Sequence, residues 1–540
     1  MISIEPGIPE TIFNVIVIGA GINGAGIARD AAMRGLTVLL LDKGDISGGT
    51  SSFSTRLIHG GLRYLEHGEF GLVRESLRER SCLMSNAPHL VRPLPMLVPI
   101  YKNSRRGLWT MRAGMIAYDL LSFDKNLPRH RMLSRTQTLE ILPELNRKGL
   151  LGGAVYYDAQ VEFAERLVLE NALSSVEHGA TVLTYARVDK LIVENAVVRG
   201  VEFTDEPGAR HSALGDVILN ASGPWVDQLL DRTGRSGARL IGGTKGSHLI
   251  VAPFSGAPSS AIYVEAETDQ RPFFIIPWNG NYLIGTTDTR YDGDLDQVKI
   301  EAEEIGYLLR ETNRIIPAAN LSPANILYTY AGVRPLPFTG DKGEAGITRR
   351  HFIRRHPQFS NLFSIVGGKL TTYRSLAEEA VDLVFKELGR SPAKCSTAEV
   401  PLPGAATPET TSSFEDFRKD FERSSGFSQA VSERLLRVYG TRSLELVKMT
   451  AAEPTLAAIL DPETHAIAAE VVYAFKHELA STLADCLLRR TMVGLNSTLG
   501  MNAVEAAARV AQLHLGWRED RVEEELAGYQ KAISRFANAP

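Results

Sequence analysis

Cysteine is scarce: three in 540 residues (Cys82, Cys395 and Cys486), none in a Cys-x-x-Cys or Cys/His spacing. That excludes a disulfide framework and a structural zinc, and points to a reducing compartment. Charge of one sign is lacking too. Lys and Arg number 59 against 63 Asp and Glu, a formal net charge of −4, so no global field draws the chain to nucleic acid. No uninterrupted apolar run reaches the length of a membrane span, so any membrane contact is expected to be peripheral. The opening MISIEPGIPE lacks the basic and apolar regions of a secretory signal, and a short tail is expected over 1–12. What remains is ordinary globular composition, enough for roughly two to four domains.

The informative stretch is Val15-Ile16-Val17-Ile18-Gly19-Ala20-Gly21-Ile22-Asn23-Gly24, an apolar run leading into Gly-x-Gly-x-x-Gly and then an alanine-rich segment. That order predicts strand, tight turn and helix. Gly19 permits the turn, Gly21 lets backbone approach a pyrophosphate, and Gly24 lets helix pack on strand. The helix start then offers N–H groups and its dipole to phosphate. A second apolar run, Val38 to Leu41, ends in Asp42, where an acid meets a ribose hydroxyl. A glycine motif so placed is a dinucleotide site, and by itself it also admits an NAD-dependent reductase.

Lys43 to Arg56 is a run of small and hydroxyl residues, and Thr50, Ser51 and Ser52 are expected to line the cofactor. Phe70 to Met84 predicts a charged, surface-exposed helix, ended by the proline-rich 88–99, with an extended segment from Met96. Leu108 to Leu121 predicts an apolar helix with Trp109 and Tyr118. Lys102, Arg105 and Arg106 precede it, and Lys125, Arg129, His130, Arg131 and Arg135 follow. A basic collar around an apolar helix suits a monotopic membrane anchor, and a buried core helix explains the pattern as well. Short β-like runs from Ala180 to Phe203, including Val188, form a βββ pattern that covers adenine in many flavoproteins. The strand Val217 to Asn220 brings Ala221 and Gly223 toward a cofactor. Strands recur without helices over 241–330, which reads as an inserted antiparallel sheet. The chain returns to the cofactor through Arg334 and then Leu362 to Arg374, where Gly367, Gly368, Leu370, Thr371 and Thr372 open a helix. Pro401 to Ser413 is a linker, and the remainder is helical in period.

Several of these blocks, GTSSFSTRLIHGGLRYLE (49–66), GGAVYYDAQVE (152–162), KGSHL (245–249), IGTTDT (284–289), GVRPL (332–336) and GGKLTTYR (367–374), resemble the FAD-dependent, respiratory glycerol-3-phosphate dehydrogenases. The resemblance runs over about 14–385 in the family's order, and VVYAFKHELASTLADCLLRRT (471–491) resembles the family's helical cap. It implies an α/β fold: a Rossmann-like FAD-binding domain (12–100 with 150–240 and 328–390), an antiparallel substrate region (101–149 with 241–327) and an all-helical C-terminal domain (401–540). It also implies FAD, a membrane quinone, peripheral attachment on the cytoplasmic side and a homodimer. Arg63 and Tyr64 are expected to face the substrate. The cations Arg63, Arg334, Arg349 and Lys369 suit a small phosphorylated substrate, because guanidinium grips phosphate bidentately. The expected roles are His248 as base, Arg334 polarising the reacting oxygen, Arg63 and Arg349 on phosphate, and Lys369 beside flavin or oxygen. Asp42 departs from the family's usual glutamate but keeps the carboxylate. An oxygen-using glycerol-3-phosphate oxidase, another FAD-dependent amine or amino-acid oxidoreductase, and a non-catalytic FAD module remain as alternatives.

Overall fold

The computed structural model describes residues 12–122, 127–232, 238–340, 350–408 and 411–536, without the side chains of residues 63, 66 and 67. Phe13–Ile18 is a central strand because its residues are apolar on both faces; Val15, Ile16 and Val17 are fully buried. It pairs in parallel with Val38–Leu41 on one side and Arg210–Asn220 on the other. The sheet extends to Thr181–Leu183 at one edge and to Leu362–Val366 and antiparallel Phe352–Arg355 at the other. A parallel sheet must be covered on both faces. Helices Ile22–Met33, Ala164–Glu177 and Tyr373–Glu387 cover one, and the hairpin Arg187–Thr204 with helix Val226–Arg232 covers the other.

A second sheet of ten strands is mostly antiparallel and has Thr244–Val251, Asn281–Gly285, Pro272–Trp278 and Ala261–Glu265 at its heart. It also takes Val91–Tyr101, Leu150–Val161 and Ile326–Arg334, three segments that the domain boundaries drawn from sequence put on the cofactor side. Local pattern cannot assign a strand to one of two sheets, since partner choice is non-local. Val91–Tyr101 holds three prolines and still lies inside the sheet. Pro93, Pro95 and Pro99 share one parity, so their missing N–H groups fall on one edge, where Ala261–Glu265 pairs only at Met96 and Leu97.

The helix Phe70–Asn86 is not the solvated helix its charges suggested. Glu79 and Arg80 are buried because each has a partner from a distant segment: Arg374 grips Glu79 with two bonds of 2.7 Å, and Arg80 donates to Asp158. Residues 411–536 are largely helical, with one two-strand ribbon (Ile459–Asp461 with Ala466–Ile467) and a π-helical turn at Cys486–Arg490. Among the described residues no helix is long and apolar enough to cross a membrane. Arg166 of helix Ala164–Glu177 joins this C-terminal part to the core by a bidentate bond to Glu478 (2.7 and 2.8 Å), both side chains fully buried. Arg166→Met strands the Glu478 carboxylate in a dry interior and should cost about 3–5 kcal/mol, read from the urea midpoint; a loss under about 1 kcal/mol would mean that the carboxylate has found another donor.

Candidate active site

A cavity of about 620 Å3 lies where the ends of the parallel strands meet the second sheet. Its floor is the first strand–turn–helix. Gly19 has φ of +108°, and a Cβ there would stand 2.6 Å from the Ala221 carbonyl oxygen. A Cβ on Gly24 would stand 1.8 Å from the Gly19 oxygen, so any side chain there separates helix from strand. The helix start at Gly21 has no side-chain cap and no acid in its first turn, which leaves its positive end for an anion. Ile22 N–H donates to Ser51 Oγ at 3.0 Å, and Thr50 donates to the Val333 oxygen at 2.7 Å, so the hydroxyl loop closes over the helix start. Asp42 accepts from Ala20 N–H (2.6 Å) and Gly44 N–H (2.9 Å); burial raises its pKa, and those two donors oppose the rise. Trp225 Nε1 and Asn23 Oδ1 are buried in the cleft wall without hydrogen-bond partners among the described residues. The glycine cradle, the open helix end, the fixed acid and these two waiting polar atoms fit a dinucleotide.

Beyond the cradle the cleft turns polar and cationic. His248, on strand Thr244–Val251, is buried; its Nε2 lies 2.9 Å from Thr55 Oγ1 and its ring packs on Tyr330 at 4.8 Å. Burial, then the nearby Arg334 and Arg56, push its pKa well below the ordinary imidazole value, so the ring is neutral at physiological pH. Arg334 ends strand Ile326–Arg334 and donates to Asp288 at 3.1 Å and to Thr286 Oγ1 at 2.9 Å, which fixes its guanidinium plane. The Lys369 ammonium sits 3.9 Å from the centre of the Tyr64 ring. It follows Gly367 and Gly368, whose φ of +80° and +100° make the sharp return from strand to helix.

Sixteen expected residues line this one cleft: Gly19, Gly21, Asp42, Thr50, Ser51, Tyr64, Val188, Ala221, Gly223, His248, Arg334, Gly367, Gly368, Lys369, Leu370 and Thr371. Three stand behind its wall. Gly24 packs helix on strand, Ser52 donates to the Ser47 oxygen within the loop, and Thr372 precedes the helix Tyr373–Glu387. Arg349 and the Arg63 side chain lie outside the described residues. Sequence reasoning passed over Thr55, Asp288, Arg271 and Arg535, which also line the cleft. Thr55 and Asp288 stood inside quoted motifs; Arg535 carried no signal at all.

Such a site defines an oxidoreductase working through a bound dinucleotide. Residues 14–383 match the FAD dependent oxidoreductase family, and residues 395–522 match the C-terminal domain of alpha-glycerophosphate oxidase. A glycerol-3-phosphate dehydrogenase of Synechocystis is 46% identical over 98% of this chain and 98% of its own. One from Pseudomonas aeruginosa is 38% identical over 90% of this chain and 92% of its own. The structure of a glycerol-3-phosphate dehydrogenase from Bacillus halodurans complexed with FAD superposes with a TM-score of 0.79 at 29% identity, covering 98% of this chain and 96% of that one. The chain belongs to the FAD-dependent glycerol-3-phosphate dehydrogenases. Gly24→Ala should therefore yield protein with under about a tenth of the wild-type flavin content, because the strand–helix contact that shapes the phosphate cradle is lost; visible absorbance after purification reads it.

Proposed function

We propose that this enzyme oxidises sn-glycerol 3-phosphate to dihydroxyacetone phosphate and passes the electrons to a membrane quinone. The observation that carries the reading is the company His248 keeps: a neutral, buried imidazole shares one cleft with Arg334, Lys369 and a dinucleotide cradle. Oxidising a secondary alcohol removes a hydride from carbon and a proton from oxygen, leaving a carbonyl. FAD, when bound, supplies the hydride acceptor. His248 takes the proton, which an imidazole already deprotonated at working pH is ready to do. Arg334, held in one orientation by Asp288 and Thr286, polarises the C2 oxygen, and Lys369 adds a second positive charge beside it. Arg63 and Arg349 hold the phosphate. Asp288 is a positioning residue, since it acts through Arg334.

Anaerobic addition of sn-glycerol 3-phosphate should bleach the flavin band, and a quinone analogue should restore it faster than oxygen does. Faster return with oxygen would make the enzyme an oxidase, and no bleaching would overturn the substrate. His248→Asn should slow bleaching at least about a hundredfold. The depressed pKa keeps His248 neutral as pH falls, so the acid limb of wild-type flavin reduction, corrected for substrate ionisation, should lie below the ordinary imidazole value. A limb at or above that value would remove His248 from the role.

Helix Leu108–Leu121 supports the membrane part of the proposal. It turns Met111, Met115 and Tyr118 inward and leaves Trp109 81%, Leu120 69% and Ile116 45% exposed along one stripe. Lys102, Arg105, Arg112, Arg129, Arg131 and Arg135 are exposed around it, whereas Arg106 is tied to Glu265 and leaves the collar. Trp109→Glu with Leu120→Glu should abolish co-sedimentation with anionic vesicles and leave turnover with a soluble dye acceptor unchanged. Retained sedimentation would move the membrane contact elsewhere.

A further inference from the structure

The chain's last described turn, Ser534–Phe536, leaves helix Glu519–Ile533 and folds back onto the cofactor loop. Phe536 is buried against Phe53 (5.7 Å between ring centres) and Tyr328 (6.1 Å). That packing holds Arg535 in the wall of the cleft, its guanidinium 3.9 Å from the centre of the Phe53 ring. Phe53 itself is pressed against Gly332, where a Cβ would come within 2.7 Å of the Phe53 Cβ, so the ring has little freedom to move away.

Arg535, only partly exposed, differs from the buried arginines that hold acids. Arg56, Arg166, Arg434 and Arg490 each face a carboxylate at 2.7–2.9 Å. Arg535 makes no ion pair with any described residue. Its charged neighbours are Arg489, of like sign, and Asp296, which already holds Lys43 at 2.6 Å. Arg489 in turn is satisfied by Asp45 and Asp485. Burial and Arg489 together bring the Arg535 pKa down to about 10, so it is still charged at neutral pH. A partly desolvated cation without a counter-charge is unfavourable, and an anion brought by a ligand would relieve it. The dinucleotide brings a permanently ionised pyrophosphate to this cleft, and its two phosphates suit guanidinium.

We propose that Arg535 is a cofactor-binding residue, delivered by the helical C-terminal domain to the negatively charged part of FAD, so that this domain completes the dinucleotide site. It rests on the cofactor alone and is independent of the proposed substrate. The loop that carries Phe53 is held by the same domain from the other side, where Arg490 makes two bonds of 2.7 Å to Asp45. Occupancy of the cleft and docking of the C-terminal domain are thereby linked.

The test is FAD release from full-length holoenzyme on dilution, followed by flavin fluorescence without substrate. Arg535→Met keeps an apolar stem on Phe53 and removes the charge; it should raise the FAD dissociation constant about tenfold or more, with the gap narrowing as salt rises. Arg535→Lys should recover part of the loss. An Arg535→Met protein within about twofold of wild type would overturn the proposal, as would a loss equal in the Met and Lys variants and indifferent to salt, which is the mark of packing alone. If FAD stays bound and only the KM for sn-glycerol 3-phosphate rises, the guanidinium serves the substrate's phosphate and the proposal fails.

Discussion

Charge that has been taken out of water must be paired, and that single constraint ties this molecule together. Helix Ala164–Glu177 carries three examples. Glu165 takes Arg56 of the cofactor loop, Arg166 takes Glu478 of the C-terminal domain, and Glu170 accepts from His89 and from the Gly404 N–H. Each partner comes from a different part of the chain. Pulling any of them apart leaves a bare charge in a dry interior, which costs about 3–5 kcal/mol. The arrangement does little for net stability compared with an apolar core, but it admits one relative placement of loop, sheet and helical domain.

That placement is what the site needs. The loop from Lys43 to Arg56 has few apolar residues to hold it, and it includes Ser47 and Arg56 with φ of +64° and +59°. It is fixed from outside: by Arg489 and Arg490 on Asp45, by Glu165 on Arg56, and by the Thr50 bond to Val333. A second network does the same for the turn before Tyr64. Asp158 accepts from Arg80, from the Tyr118 hydroxyl at 2.7 Å and from Gly60 N–H at 3.2 Å. Tyr118 lies on the helix whose opposite face bears Trp109 and Leu120, so the surface stripe and the substrate side of the cleft share one rigid element.

Within the cleft, electrostatics separate the tasks. Burial first, and then Arg334 and Arg56, disfavour a proton on His248, while Asp288 and Thr286 hold the Arg334 guanidinium. The result is a neutral imidazole beside a fixed positive charge.

The first strand, turn and helix were legible in the sequence because they depend on neighbours in the chain: β-branched runs, glycines at fixed spacing, an acid at the next strand end. The same holds for the return at Gly367–Gly368 and for the existence of helix Leu108–Leu121, whereas which of its apolar residues stay exposed was decided only by packing. What sequence could not decide was partnership. Met96 to Tyr101 read as extended from sequence, yet which sheet the strands Val91–Tyr101 and Leu150–Val161 joined depended on segments far along the chain. Glu79 and Arg80 looked solvated because nothing local shows that Arg374 and Asp158 will meet them. Arg535 looked like one more basic residue near the end of a helix, and only the packing of Phe536 on Phe53 brings it to the cofactor cleft. Local geometry is written in spacing; burial of a charge, and therefore its use, is settled only when distant segments close around it.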